Sequence, residues 1–264
     1  MAVTPIPAGL ERYARQIQFS GFGVEGQQAL LQAKVVLIGA GALGTHIADS
    51  IVRAGVGHLV LVDRDFIELN NLQRQALYDE DDIAQNLPKA EAAARKLRRM
   101  NSSVTVEPRV MDVNHTNIES LIAGAQLVLD GTDNFSTRYL INDACVKAGV
   151  AWVYGGVLGV QGTVMPIVPG QTPCFCCLMP TPPDSSKLPT IADVGVLSTT
   201  VMVTASEQVT LALGFLAQTN QWQPGVRTID ASGDVGRYPS IAIDRYGRAG
   251  IAYYDVTHAN LKYA

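Results

Sequence analysis

Between residues 39 and 133 stand three glycines, three carboxylates and two cations whose types and spacing could handle a nucleotide. Gly39-x-Gly41-x-x-Gly44 directly follows the apolar run Val35 to Ile38. Glycines there remove Cβ atoms where backbone must turn tightly and approach a phosphate. A helix opening near Ala42 would aim free N–H groups and a positive dipole end at that anion. Asp63 closes the next apolar run, Leu59 to Val62, which places a carboxylate about 20 residues downstream, where a ribose has to be held. These residues by themselves fit an NAD(P)-dependent oxidoreductase as well as an ATP enzyme.

Further positions favour a triphosphate. Arg12-Tyr13-Ala14-Arg15-Gln16 precedes the glycine loop, and Asn70-Asn71-Leu72-Gln73-Arg74-Gln75 follows the Asp63-Arg64-Asp65 turn. Pro88-Lys89-Ala90-Glu91 opens a helix, and Gly131-Thr132-Asp133-Asn134 follows another apolar run. Hydride transfer needs no such set of cations. Attack at an α-phosphate builds charge on a departing pyrophosphate, and planar Arg forks, a Lys point charge and Mg²⁺ stabilise that charge. Asp133 falls at the carboxyl end of an expected strand, where open α/β sheets bind ligands, and is the candidate Mg²⁺ ligand. Lys89 in a first helical turn opposes the helix dipole by about 0.3 to 1 kcal/mol, which points to a ligand-facing task. Asp133 or Asn134 also suits the cap of a helix expected over Phe135 to Lys147. Cys145, on that helix, reads as a small core residue.

The elements that must position these groups follow from the hydrophobic pattern. Apolar, β-rich runs at Lys34 to Ile38, His58 to Val62, Val104 to Val106, Gln126 to Leu129 and Ala151 to Tyr154 alternate with helical patterns. That alternation predicts a Rossmann-like, doubly wound, mainly parallel α/β sheet. At 264 residues the chain is read as a single domain in four stretches. These are a helical lead-in over 9–32, a nucleotide-binding core over 33–168, a Cys/Pro-rich region over 169–195, and a helix with antiparallel strands over 196–264. The strands between Val226 and Tyr254 are expected to extend one edge of the sheet. A net charge of −4 with 17% charged residues leaves no broad footprint for nucleic acid. Apolar stretches of strand length, and Met1 to Gly9 without an apolar signal core, predict no membrane segment and a cytoplasmic protein.

Taken in order, R-Y-x-R-Q, G-x-G-x-x-G, D-x-D, N-L-x-R-Q, P-K-x-E and T-D-N resemble the ThiF/MoeB/HesA family, adenylating enzymes related to ubiquitin activators. The likeness runs from about Leu10 to Leu216, and Cys174-x-x-Cys177 resembles the family's zinc knuckle. The resemblance implies an ATP-dependent adenylyltransferase. Its substrate would be the C-terminal glycine of a small ubiquitin-fold sulfur carrier ending in Gly-Gly, converted to an acyl adenylate for thiamine or molybdopterin-type cofactor synthesis. A peptide C-terminus in natural-product synthesis is the variant. Gly39, Gly41 and Gly44 would accommodate phosphates, Asp63 would hold the ribose, and Asp65 would lie beside the nucleotide. Asn71, Arg74 and Lys89 match triphosphate contacts, and Asp133 the Mg²⁺ ligand. Arg15 resembles an arginine that one subunit inserts into its neighbour's site, which implies a homodimer. A scaffold that binds without catalysis is the rival that intact Arg15, Arg74, Lys89 and Asp133 oppose.

Two features leave the family pattern. The family commonly closes a Zn²⁺ site with a second C-x-x-C pair, but no cysteine follows Cys177 up to Ala264. Cys174 and Cys177 would need Cys176, His258 or another chain to complete four ligands. Where relatives place a reactive cysteine, the stretch Thr190 to Leu197 has Ile191 instead. The expected reaction therefore ends at the acyl adenylate.

Overall fold

In β1 (Lys34–Ile38), alternate residues are driven to opposite faces, and both faces are buried. Val35 and Leu37 join one hydrophobic cluster, while Val36 and Ile38 join another with Val128, Ile141 and Trp152. A strand buried on both sides needs helices above and below it, which is the parallel-sheet arrangement. The computed structural model describes residues 5–183, 191–218, 227–230, 235–243, 249–255 and 260–263.

The lead-in is not one helix. A 3-10 turn at Glu11–Tyr13 runs into α1 (Ala14–Ile17), and α2 (Gly23–Gln32) begins afresh after a turn in which Gly21 and Gly23 adopt φ of 89° and 66°. Those left-handed conformations divide the helical lead-in expected over 9–32 into separate pieces. From β1 the chain passes through α3 (Ala42–Ala54) to β2 (His58–Val62), then α4 (Glu80–Ala84) and α5 (Lys89–Met100) to β3 (Thr105–Arg109). It returns through α6 (Ile118–Ile122) to β4 (Leu127–Asp130), and α7 (Phe135–Ala148) leads to β5 (Ala151–Leu158), whose hairpin partner is β6 (Gln161–Ile167). Short α8 (Phe175–Leu178) and α9 (Ile191–Val194) precede the long α10 (Ser198–Leu216).

The sheet order is β3-β2-β1-β4-β5-β6-β7, parallel from β3 to β5 and antiparallel beyond. Strand order reverses between β1 and β4, so their carboxyl ends border a crevice suited to a ligand. The expectation for the tail needs one correction. Among the described residues of the tail, only β7 (Arg227–Asp230) joins the main sheet, while β8 (Val235–Ile243), β9 (Ala249–Asp255) and β10 (Asn260–Tyr263) pair with one another in a separate antiparallel sheet. Among the described residues, no helix is long and apolar enough to cross a membrane.

Candidate active site

Close backbone approaches, of the β4 loop to Gly39 and of the Gly39 carbonyl to Gly44, are why two of the three glycines are glycine. Gly39 has φ of 95°, and a Cβ there would lie 2.5 Å from the Gly131 carbonyl oxygen; a Cβ on Gly44 would overlap the Gly39 carbonyl. Gly41 differs. A Cβ there would meet nothing closer than 4.0 Å, with Gln75 Nε2 and Gly131 O as its neighbours, so its face borders open space. No side chain caps α3 at Gly41, which leaves the helix start available to an anion.

The loop after β2 is fastened to this start. Asp63 accepts from Ala40 N through Oδ2 and from Asp65 N through Oδ1, each at 2.7 Å. Burial pushes its carboxyl above the usual carboxylate range, and those two backbone donors oppose the rise. Lys89, 7% exposed, donates its backbone N–H to Asp65 O at 2.8 Å, and its Nζ lies 3.2 Å from Asp65 Oδ2. Tyr78 binds the same pieces together, its hydroxyl lying 2.8 Å from Ala40 O and 3.2 Å from Lys89 O. The segment between them is held by a capping box linking Glu68 and Asn71. Arg74 Nη1 donates to Asn70 O at 2.7 Å, and Ala76 N to Thr45 Oγ1 at 3.2 Å.

An open cleft of about 1580 Å³ collects these groups. Gly39, Gly41, Asp63, Asp65, Asn71, Arg74, Lys89 and Asp133 all line it, and Gly44 does not line it but packs against Gly39. Arg15, Cys174 and Cys177 do not line it. Asn134, not Asp133, caps α7 by accepting from Thr137 N at 2.9 Å, so Asp133 keeps its exposed carboxylate for the cleft. Ile191, Gly195 and Val196 close another side, because Gly159 N donates to Gly195 O and Leu197 N to Gly159 O. Ile191 is described in that position, whereas Thr190 and His258 lie outside the described residues.

The arginine motif divides cleanly. Arg12 Nη1 donates to Met100 O at 2.7 Å, Tyr13 is buried with its hydroxyl accepting from Asn101 Nδ2, and Gln16 Nε2 donates to Gln27 Oε1 and Ala54 O. Those three residues tie the lead-in to the sheet domain. Arg15 is exposed and, unlike the exposed Arg12, its side chain has no partner among the described residues.

A buried network under the cleft floor is absent from the sequence reading. Asp130, fully buried at the end of β4, accepts from Thr132 N and Oγ1 and faces Arg138 Nε at 3.2 Å. Arg138 also donates to Thr132 O and Gly155 O and lies over the rings of Phe135 and Tyr154. Gln208 on α10 donates to Asp130 O at 2.8 Å. Burial raises the Asp130 carboxyl, and the guanidinium opposes that rise. The network holds the loop that carries Asp133. Arg138→Ala leaves a buried carboxylate without its cation, so urea unfolding should show a loss of about 3–5 kcal/mol. A loss below 1 kcal/mol would show that the pair does not support this loop.

The cysteine segment brings two thiols together. Cys174 Sγ and Cys177 Sγ are 3.6 Å apart, while Cys176 Sγ accepts from Asn142 Nδ2. Among the described residues, no group of three or more His, Cys, Asp or Glu could hold a metal. Two thiolates are half the tetrahedral set that structural zinc takes. Burial pushes the Cys145 thiol up to about 12, which matches its reading as a core residue.

The fold and sequence both have known counterparts. Sulfur carrier protein ThiS adenylyltransferase of Bacillus subtilis is 46% identical over 219 residues, covering 83% of this chain and 64% of that protein. The chain thus aligns with less than two thirds of that relative's length. Sulfur carrier protein adenylyltransferase of Thermus thermophilus is 38% identical over 212 residues, covering 78% of each chain. SAMP-activating enzyme E1 of Haloferax volcanii is 42% identical over 188 residues, covering 71% of this chain and 68% of that protein. The crystal structure of E. coli MccB with MccA-N7isoASN superposes with a TM-score of 0.72 at 22% identity. It covers 98% of this chain and 72% of that one, and so supports the doubly wound fold. The model described as the ThiF family matches residues 13–244. With the glycine loop, Arg74, Lys89 and Asp133 gathered on one cleft, that match establishes that the chain belongs to the ThiF family.

Proposed function

We propose that this chain is an ATP-dependent adenylyltransferase acting on the C-terminal glycine carboxylate of a small ubiquitin-fold sulfur carrier. The carrying observation is the cleft itself, which Arg74, Lys89, Asp65 and Asp133 line together with Gly41. The relatives named for sulfur-carrier adenylation support the same reading. The hydride-transfer alternative gives no work to these cations.

The carrier carboxylate attacks the α-phosphorus, one P–O bond forms, the bond to the β-phosphate oxygen breaks, and pyrophosphate leaves. No side-chain nucleophile is needed; the protein contributes positioning and charge stabilisation. The start of α3 and the face of Gly41 receive phosphates, and Lys89, Arg74 and Asn71 meet the charge that develops. Asp63 holds the ribose; its Oδ2 also fixes the glycine loop at Ala40 N and its Oδ1 accepts from Asp65 N, and each carboxylate oxygen has further capacity to accept from a ribose hydroxyl. Asp65, on the cleft wall, lies beside the nucleotide. Asp133 would hold Mg²⁺ together with the nucleotide's own phosphates, as Mg²⁺ sites on nucleotides commonly do; when bound, the ion would neutralise charge on the departing pyrophosphate. Arg15 reaches the site of a second copy in a homodimer. The reaction belongs in the cytoplasm, where ATP is supplied and thiols stay reduced. With Ile191 in the segment over the cleft, the acyl adenylate is the product handed on for thiamine or molybdopterin-type sulfur transfer.

Labelled pyrophosphate should enter ATP only when the chain, Mg²⁺ and a Gly-Gly-ended carrier from the same genome are combined. No exchange with any such carrier would sink the reading, and exchange with a short peptide instead would move the substrate to the peptide class.

A further inference from the structure

Gln75 sits beside the glycine loop with its side chain almost wholly buried and unused. It is 4% exposed, and Oε1 has no hydrogen-bond partner among the described residues. A buried carboxamide is normally satisfied, because its lost hydration must be replaced. The backbone around it is fixed, with Gln75 N donating to Asn71 O at 3.0 Å, Tyr78 N to Gln75 O at 3.3 Å, and Ala76 N to Thr45 Oγ1 at 3.2 Å. The segment therefore cannot turn to find a partner. The side chain lines the cleft, and Nε2 lies 4.0 Å from where a Cβ on Gly41 would stand. The donor end of the amide thus faces the one open glycine face of the loop. Turning the amide over would bury the donor and point a carbonyl oxygen at the place where phosphate oxygens are expected.

We infer that Gln75 is a substrate-contacting residue whose Nε2–H donates to a phosphate oxygen of the nucleotide seated against Gly41. The inference rests on the nucleotide reading above and adds to it a neutral donor alongside Arg74 and Lys89. A neutral donor contributes direction without adding charge, so it helps fix the phosphate chain in line with the attacking carboxylate. The unpartnered Oε1 is the consequence of that orientation.

Gln75→Met removes donor and acceptor at similar length, and Gln75→Glu keeps the shape but sets an anion against the phosphates. Binding of a non-hydrolysable ATP analogue and of adenosine should be measured by calorimetry for both variants, alongside thermal unfolding without nucleotide. With Met, the analogue should bind about tenfold more weakly, as loss of a bond to a charged oxygen implies. Adenosine affinity should stay within about twofold, and the nucleotide-free Tm should be unchanged or higher, because an unmatched buried acceptor has gone. With Glu, analogue binding should fall further. Unchanged analogue affinity in both variants overturns the contact, as does a Met variant with lowered Tm and equal weakening of analogue and adenosine. A wild-type chain that binds neither compound removes the nucleotide reading itself, an outcome distinct from variants that bind as well as wild type.

Discussion

Lys89→Ala is expected to lower carrier-dependent pyrophosphate exchange about 10²- to 10³-fold, the range seen when one preorganised charge-stabilising group is removed from an active site. The loss should appear at saturating ATP, because Lys89 meets charge that grows as pyrophosphate departs. The fold should survive. The ammonium lies 3.2 Å from Asp65, whose side chain is 56% exposed, so removing it leaves a carboxylate that water can solvate. The backbone bond from residue 89 to Asp65 O does not depend on the side chain. A cation in the first turn of α5 also opposes the helix dipole, and its removal relieves about 0.3 to 1 kcal/mol. That relief offsets part of the packing lost with the buried stem. Exchange near the wild-type rate, or a collapse of Tm that accounts for the lost activity, would remove Lys89 from the reaction. Lys89→Arg should recover little, since a planar fork does not replace a compact point charge in a buried slot.

The parts of this site legible from sequence are those in which a local rule and the fold agree. Val35 to Ile38 could be recognised as a strand buried on both faces, and the glycines after it as a turn, because each requirement lies within a few residues. Pro88 and Lys89 opened α5 where the motif placed them, and Asn134 took the cap that its residue type favours. Long-range pairings were not legible. Asp130 is the lone charge after a buried apolar run, and a buried carboxylate demands a cation, which was a signal to search for Arg138. The third member, Gln208, is 78 residues away on α10 and carries no local mark of its task. Asp63 was recognised as a functional carboxylate, but its bond to the glycine loop's backbone at Ala40, 23 residues away, was not. In the lead-in, Gly21 and Gly23 overrode an otherwise helical pattern by adopting positive φ. The tail's alternation showed strands without showing which sheet they join, because a period of two is the same in either.

Mixing Arg15→Ala protein with Lys89→Ala protein should restore exchange that neither variant has alone. Arg12, Tyr13 and Gln16 are each bonded within their own chain, whereas Arg15 is exposed, lacks a partner among the described residues and does not line the cleft. A guanidinium that serves phosphates in this state must serve those of another copy, which a two-fold dimer provides reciprocally. In a mixed dimer, the Arg15→Ala subunit keeps its own Lys89 and receives Arg15 from the Lys89→Ala subunit, so one site is complete. The other site lacks both groups. With subunits exchanged at random, about half the dimers are mixed and each has one working site, so recovery should reach about a quarter of wild-type exchange. If Arg15 acts within its own chain, every site in the mixture lacks one cation and no exchange returns. Full activity of Arg15→Ala alone would instead make Arg15 an ordinary solvated charge. Recovery must also fall on dilution below the dimer dissociation constant, because the completed site exists only while the two subunits remain together.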